Sequence, residues 1–268
     1  LNVNSISRDP AAAASKQPGD CADVDPSAAA LRPDAAPQTI LPEKQALRTR
    51  LLPLRRAALD SGPAVTAAIA TGVRAWLDAQ DCRCVAFYWP LAGEPDLRAT
   101  IIAWLAQDGR RRAALPLVVR AATPLRFVSW DADTPMRVGK YGIAVPDHAD
   151  LSATHPDLPD LALSTRSGDV IPDALLIPCV GFDTRGYRLG YGGGFYDRTL
   201  AALHGTADLA DLDAQGAVAA PNAGSHSARR PATLGIALDC TLVPALPTDV
   251  FDLPLDAIQT ESRLYNAR

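Results

Sequence analysis

Methionine is nearly absent from this sequence, with one in 268 residues, and aromatic residues make up only 6%. No stretch reaches the roughly 20 uninterrupted apolar residues that a membrane span needs, and the first residues lack the positive-then-apolar pattern of a secretory leader. The expectation is a chain with neither a membrane span nor an export signal. Basic residues are not in excess: Lys plus Arg is 26 against 30 for Asp plus Glu, a formal charge of -4 and a pI near 5.5. A general polyanion-binding surface is therefore not expected, nor is nucleic acid as a partner, and any anion site must be local. The five cysteines, Cys21, Cys82, Cys84, Cys179 and Cys240, are odd in number, scattered and without a C-x-x-C pair. That pattern excludes a disulfide framework or a zinc knuckle and predicts free thiols in the cytoplasm. Histidine is equally sparse. His148, His155, His204 and His226 stand in loop-like or helix-end contexts, and no Ser-His-Asp or Cys-His arrangement is apparent.

What remains is 48% hydrophobic and 21% charged, the balance of an ordinary globular protein. Residues 1 to about 40 are rich in Ala, Pro, Asp and Ser without sustained periodicity, and predict a disordered arm. Residues 41–268 predict one domain, interrupted by a loop-like insertion at about 205–232 in which Leu209 and Leu212 suit a short helix. Strands are expected at Val85–Trp89, Arg112–Val119, Arg126–Trp130, Ala174–Val180 and Thr233–Leu238. Helices are expected at Glu43–Leu59, Val65–Ala79, Leu97–Gln107 and Tyr196–Leu203. Strands separated by helices predict an α/β fold, a three-layer α/β/α domain around a mostly parallel open sheet, with ligands at the carboxyl ends of strands.

The chemically richest segment follows the fourth strand and reads IPCVGFDTRGYRLGYGGGFYDR, Ile177 to Arg198. Its glycines remove Cβ atoms where backbone must approach a ligand and permit positive φ. Free N–H groups running into a helix N-terminus make an anion nest, for which phosphate is the usual guest. The spacing is that of neither the P-loop nor the dinucleotide fingerprint, since Phe195 stands where the third glycine of G-x-G-x-x-G belongs. A plain strand-to-helix turn would not need Arg188, two aromatics and Asp197 around the glycines.

A basic cluster, Lys44, Arg48, Arg50, Arg55 and Arg56, occurs in the first helix, where Lys44 and Arg48 share a face and Leu47, Leu51 and Leu54 are expected to form the buried stripe. A solvated basic surface gives the same pattern. Pro53 argues against carrying the Lys44–Arg48 face on to Arg55. After the first strand, Glu94 and Asp96 stand in a turn ahead of a helix. Asp96 suits an N-cap, and either carboxylate suits the N–H groups of a nitrogen-rich heterocycle.

Together these segments resemble the 5-formyltetrahydrofolate cyclo-ligase family. The resemblance rests on Lys44-x-x-Leu47-Arg48, Tyr88-x5-Glu94-x-Asp96, and Phe182-Asp183-x-x-Gly186-x-Arg188-Leu189-Gly190-Tyr191-Gly192-Gly193-Gly194-Phe195-Tyr196-Asp197-Arg198. It continues through Gly235-Ile236-Ala237, Leu246-Pro247 and Asp252-x-x-Leu255-Asp256-x-Ile258, covering roughly Leu41 to Tyr265 without the insertion. It implies an α/β/α fold and an ATP- and Mg-dependent cyclisation of 5-formyltetrahydrofolate to 5,10-methenyltetrahydrofolate, with release of ADP and phosphate. By the same resemblance Lys44, Arg48 and the run Arg188, Leu189, Gly190, Tyr191, Gly192, Gly193, Gly194, Phe195, Tyr196 and Asp197 would bind ATP, with Lys44 and Arg188 acting in catalysis. Leu91, Glu94, Asp96 and Tyr191–Phe195 would meet the folate, and Asp197 and Asp252 would hold Mg. The chain departs from the family at Gly193, where some members carry lysine and Lys140 is a candidate substitute, at Val145 in place of an acid, and at Phe195 in place of tyrosine. Two other readings stand beside this one: a non-catalytic relative that binds RNA or a protein partner, and a different ATP-dependent enzyme on the same scaffold.

Overall fold

Short segments of Val, Leu, Ile and Ala form the centre of the molecule, because each can be buried on both faces of a sheet. The computed structural model describes residues 37–148, 169–214 and 230–267. The expected disordered arm, up to residue 36, and residues 215–229 of the expected insertion lie outside them. In chain order the elements are α1 (Pro37–Asp60), α2 (Pro63–Ala79), β1 (Cys84–Ala86), α3 (Arg98–Leu105), β2 (Arg112–Leu117) and β3 (Arg126–Trp130). There follow β4 (Met136–Val138), β5 (Ala144–Pro146), β6 (Ala174–Pro178), β7 (Gly181–Phe182), β8 (Arg188–Leu189), α4 (Phe195–Ala214), β9 (Ala232–Ile236), β10 (Ala257–Gln259) and β11 (Leu264–Asn266).

The main sheet has seven strands in the order β11-β10-β9-β6-β1-β2-β3. β10, β9, β6, β1 and β2 are parallel, and the edge strands β11 and β3 are antiparallel. The expectation of a mostly parallel α/β sheet is met. Alternate side chains divide the core in two, as the two-residue period of a strand requires. Val85, Leu115, Leu176 and Leu234 pack with Ile69, Val73 and Trp76 of α2 and Ile101 and Trp104 of α3. Ala86, Ala114, Leu175, Ile177 and Ile258 face Leu200 and Leu203 of α4 on the other side.

Some boundaries differ from expectation. α1 begins at Pro37, inside the stretch assigned to the arm, and continues through Pro53, which is exposed. α4 runs on through Gly205 to Ala214, into the stretch read as an inserted loop. The short strands β10 and β11 and the hairpins β4–β5 and β7–β8 were not expected at all.

Two features place the ligand-facing end. β1 pairs with β2 on one side and with β6 on the other, so the chain reverses its direction of travel across the sheet there. The loops leaving the carboxyl ends of β1 and β6 diverge at that point, the position at which open α/β sheets bind ligands. α1 closes over this end: its Leu51 packs with Val180, Leu189, Val243 and Leu246. Gly181 is needed for that approach, because a Cβ there would lie 2.5 Å from the Leu51 side chain.

Candidate functional site

The glycine-rich segment follows the β7–β8 hairpin and ends where α4 begins. Gly192 and Gly194 take φ of 100° and 64°, values that favour glycine. None of the backbone N–H groups from Gly190 to Gly194 donates a hydrogen bond to another described residue, and Tyr191, Gly192 and Gly193 are exposed. These N–H groups run straight into the N-terminus of α4, whose dipole adds to the attraction for an anion. At the start of α4, Arg188 Nη2 donates to Asp197 Oδ1 at 2.6 Å and Nη1 donates to the Leu253 carbonyl at 3.1 Å. The Arg188 side chain is only 4% exposed, so this pair fixes the loop against the segment before β10.

α1 supplies the remaining cations from one face. Lys44 Nζ donates to Asp252 Oδ2 at 2.6 Å and to Asp249 Oδ2 at 3.3 Å. One turn on, Arg48 Nε donates to the Gly190 carbonyl at 2.8 Å. Burial lowers the Arg48 pKa, and the charge of Asp252 opposes that fall. The face continues to Arg55, contrary to the reading that Pro53 interrupts it. Leu54, expected in the buried stripe, is instead 46% exposed, and Arg55 is buried at 2%. The inward face is Leu47, Leu51, Arg55 and Ala58, which keeps helical spacing and carries a guanidinium where a leucine was expected.

Arg55 joins the two diverging loops. Its Nη1 donates to the Cys179 carbonyl at 3.2 Å, its Nη2 donates to the Tyr191 hydroxyl, and its guanidinium lies 5.3 Å from the centre of the Tyr191 ring. The Tyr191 hydroxyl in turn donates to Glu94 Oε1 at 2.6 Å, and Arg55 Nη1 stands 3.9 Å from the same oxygen. Burial first, then the charge of Glu94, pushes the Tyr191 phenol up to about 12, against a lowering contribution from the Arg55 hydrogen bond. Glu94 Oε2 accepts the Leu91 N–H at 2.8 Å, and the Glu94 N–H donates back to the Leu91 carbonyl at 3.0 Å, so the acidic turn holds its own carboxylate in place.

Other anticipated residues fall elsewhere. Asp96 accepts the Arg98 N–H at 3.0 Å and is paired with the Arg98 guanidinium, which lowers its pKa. It therefore serves the start of α3, and no hydrogen bond or ion pair joins it to Glu94, Tyr191 or Arg55. Lys140 donates to the Val119 carbonyl, and no hydrogen bond or ion pair joins it to the glycine-rich loop. Val145 is buried beside Leu117 and Val128, an apolar setting unsuited to the acid it replaces. Tyr141, at φ 58°, brings its exposed ring edge-on to Phe195 at 6.2 Å. Arg55, Asp249 and Tyr141 are the site residues that the sequence reading missed. For Arg55 the available signal was its spacing of eleven residues from Lys44, three turns along one helix face.

The donor set for a divalent cation consists of hard carboxylate oxygens, the kind Mg2+ prefers. Asp197 and Asp252 each already face a cationic side chain at 2.6 Å, so a positive charge is what both are arranged to hold. Among the described residues no three His, Cys, Asp or Glu side chains converge.

Comparison with known proteins gives the family. A model of the 5-formyltetrahydrofolate cyclo-ligase family matches residues 40–261. A 5-formyltetrahydrofolate cyclo-ligase of Escherichia coli (strain K12) is 38% identical over 101 residues, 36% of this chain and 43% of the relative. The chain thus spans less than half the length of that relative. One from Mycolicibacterium smegmatis is 32% identical over 168 residues, 62% of this chain and 79% of the relative. The solved structure of Aquifex aeolicus 5,10-methenyltetrahydrofolate synthetase superposes with a TM-score of 0.58, covering 84% of this chain and 93% of its own at 21% identity, a likeness of fold. No helix among the described residues is long and apolar enough to cross a membrane. The matched stretch takes in α1 through β10, and so both diverging loops and the helix that closes over them: the chain belongs to the 5-formyltetrahydrofolate cyclo-ligase family.

Proposed function

We propose that this chain is an enzyme that converts 5-formyltetrahydrofolate to 5,10-methenyltetrahydrofolate at the expense of ATP, releasing ADP and phosphate with Mg2+ as the metal. The observation that carries this reading is the run of uncommitted N–H groups at Gly190–Gly194, exposed at Tyr191, Gly192 and Gly193, with Arg48 and Arg188 beside it and Tyr191 joining it to Glu94. It sets an anion seat beside a carboxylate suited to the N–H groups of a heterocycle.

The N5-formyl group is an amide whose oxygen leaves poorly, so closure by N10 stalls until that oxygen becomes a phosphate. ATP with Mg2+ supplies the phosphoryl group and the counter-charge. The transfer asks the protein for positioning and charge neutralisation more than for a nucleophile. Arg48 and Lys44 stand along the phosphate path on α1, and the N–H groups of the loop are fixed in advance, so little reorganisation is needed as charge moves. Asp197 and Asp252 would hold the metal, exchanging a side-chain cation for it. Glu94, with Leu91 and Tyr191, would accept and orient the heterocycle, while Gly192 to Phe195 would cover it. N10 then closes on the activated carbon and gives up its proton to solvent, the C–O bond breaks, and phosphate leaves with the former formyl oxygen.

The buried thiols take no part. Cys84 and Cys179 are pushed up to about 12, chiefly by burial, which leaves them protonated and poor nucleophiles near neutrality.

The test is the absorbance of 5,10-methenyltetrahydrofolate formed from 5-formyltetrahydrofolate, with and without ATP and Mg2+, beside the Arg188→Lys and Asp197→Asn variants. Product that requires both additions and falls by at least about 100-fold in the variants supports the reading. Folded protein that forms no product overturns it, in favour of a binding-only relative or a different acceptor for the same phosphate seat.

A further inference from the structure

We propose that Arg55 is a positioning residue that locks the Tyr191 hydroxyl and the Glu94 carboxylate into one unit, so that the glycine loop and the acidic turn bind folate together rather than separately. This inference rests on the function proposed above and concerns the heterocycle end of that site.

Three independent features lead to it. The first is placement: Arg55 comes from α1, Tyr191 from the loop beyond β8 and Glu94 from the loop beyond β1, and the Arg55 guanidinium meets both loops at once. It bonds the Cys179 carbonyl just past the end of β6, the Tyr191 oxygen, and stands 3.9 Å from Glu94. The second is burial. Arg55 and Glu94 side chains are 3% and 2% exposed, so neither is a surface charge in casual contact. The third is the assignment of protons. Arg55 occupies a lone pair of the Tyr191 oxygen, which obliges the single phenolic proton to point away from the guanidinium, and it is given to Glu94 Oε1 at 2.6 Å. Without Arg55 the hydroxyl is free to rotate, and the Tyr191 ring loses the cation it stacks on.

A guanidinium kept only for the fold would be expected to spend its donors on the fold. Here the buried Nε–H has no acceptor among the described residues, while both terminal nitrogens are committed to the ends and loops of the site. Lysine cannot replace it, because one ammonium on a flexible stem lacks the planar fork that serves Cys179 and Tyr191 together. Arg55 bonds the Tyr191 hydroxyl and makes no hydrogen bond or ion pair to Lys44, Arg48 or Arg188, so its effect should fall more heavily on the folate than on ATP.

The experiment uses the full chain with Arg55→Met, Arg55→Lys, Tyr191→Phe and the Arg55→Met/Tyr191→Phe double variant. Thermal midpoint, kcat, and KM for 5-formyltetrahydrofolate and ATP are measured for each, together with equilibrium binding of 5-formyltetrahydrofolate without nucleotide. Arg55→Met is expected to raise the folate KM and Kd by about tenfold or more, with the ATP KM held within about twofold. Tyr191→Phe should do much the same, and the double variant should be no worse than the poorer single one, because both act through one unit. Where Arg55→Met does not fold, Arg55→Lys decides with the same readouts. Unchanged folate binding in a folded Arg55 variant overturns the proposal, as does a double variant whose losses multiply, or a loss shared equally by ATP. Wild-type protein that makes no product defeats the proposed function instead, which keeps the two failures distinct.

Discussion

Gly186 lies in the β7–β8 turn and Gly190 just past β8, and alanine at each should give opposite results. Gly186 holds φ at 87°, and a Cβ there would sit 2.6 Å from the Leu255 carbonyl oxygen and 2.8 Å from the Ala267 Cβ. The left-handed backbone and the steric conflict each cost about 1–3 kcal/mol. Gly186→Ala should therefore lower the thermal midpoint by roughly 4–24 °C at about 2–4 °C per kcal/mol. Gly190 is not at positive φ, and a Cβ there meets nothing within 4 Å. Folding alone gives no reason for glycine at 190, so Gly190→Ala should leave stability unchanged or raise it by about 0.4–1 kcal/mol through the unfolded chain. If phosphate rests on these N–H groups, the added methyl stands in the ligand's space, and the ATP KM should rise by about tenfold or more, a loss of about 1.4 kcal/mol or more. Thermal unfolding and ATP-dependent product formation read the two quantities separately. A Gly190→Ala variant with wild-type stability and a wild-type ATP KM would refute the phosphate seat at this point of the loop.

The Arg188–Asp197 pair should respond asymmetrically to loss of either partner. Asp197→Ala leaves a guanidinium that is 4% exposed without its carboxylate, whereas Arg188→Met leaves a carboxylate that is already 28% exposed and can be hydrated. The first should cost about 3 kcal/mol or more and the second about 1–2 kcal/mol, including the bond to the Leu253 carbonyl; the reverse order in urea unfolding would contradict the burial argument. Stability should also fall in alkali. The folded Cys84 and Cys179 thiols are raised to about 12, chiefly by burial, above an ordinary value near 9. Below the ordinary value both states keep the proton and the stability is fully present. Between about pH 9 and 12 only the unfolded chain ionises, and stability is lost. Urea midpoints should therefore decline from pH 8 to pH 10 less steeply in Cys179→Ala than in the wild type, and equal slopes would show that this thiol contributes nothing. At the metal end, Lys44→Met removes the cation held by Asp249 and Asp252. Calorimetric titration with Mg2+ alone should then show tighter binding than in the wild type, and unchanged or weaker binding would show that Asp252 offers no cation seat.

The parallel core was legible in the sequence because β1, β2, β6 and β9 are apolar runs set between helices with clear periodicity. The strand Arg126–Trp130 was placed to the residue, yet its antiparallel pairing with β2 follows from the short connection between them, which holds no crossover helix. β10 and β11 were missed because each is three residues long and gains its character from neighbours rather than from its own composition. The glycine loop was readable from Cβ-free positions beside Arg188 and Asp197. Arg55 was not, since a proline two residues earlier is a strong helix breaker by local rules. Tertiary packing of Leu47 and Leu51 outweighs that local preference, and Pro53 lies on the exposed side, where its missing N–H does the least harm. Asp96 shows the converse. Its motif position drew it to the ligand, but an adjacent Arg98 and a helix start account for both of its oxygens.

The arrangement of α1 bears on why the two halves of the proposed site stay in register. Lys44, Arg48 and Arg55 stand on one face, and eleven residues at 1.5 Å each separate the first from the last by about 16 Å. Lys44 meets the Asp249 and Asp252 carboxylates, Arg48 meets the Gly190 carbonyl, and Arg55 meets Tyr191 and Glu94. One helix therefore touches the Asp249 and Asp252 carboxylates, the glycine-rich loop and the Glu94 turn in sequence. Loops tied separately to their own strands could drift with respect to one another; loops tied to one helix move only if the helix moves. The reaction proposed above, in which a phosphoryl group must meet the formyl oxygen of a held ring, would depend on that fixed separation. The continuity of α1 past Pro53 is what extends it from the phosphate end to Glu94, so the residue that hid Arg55 in the sequence lies within the span that brings Arg55 to the site.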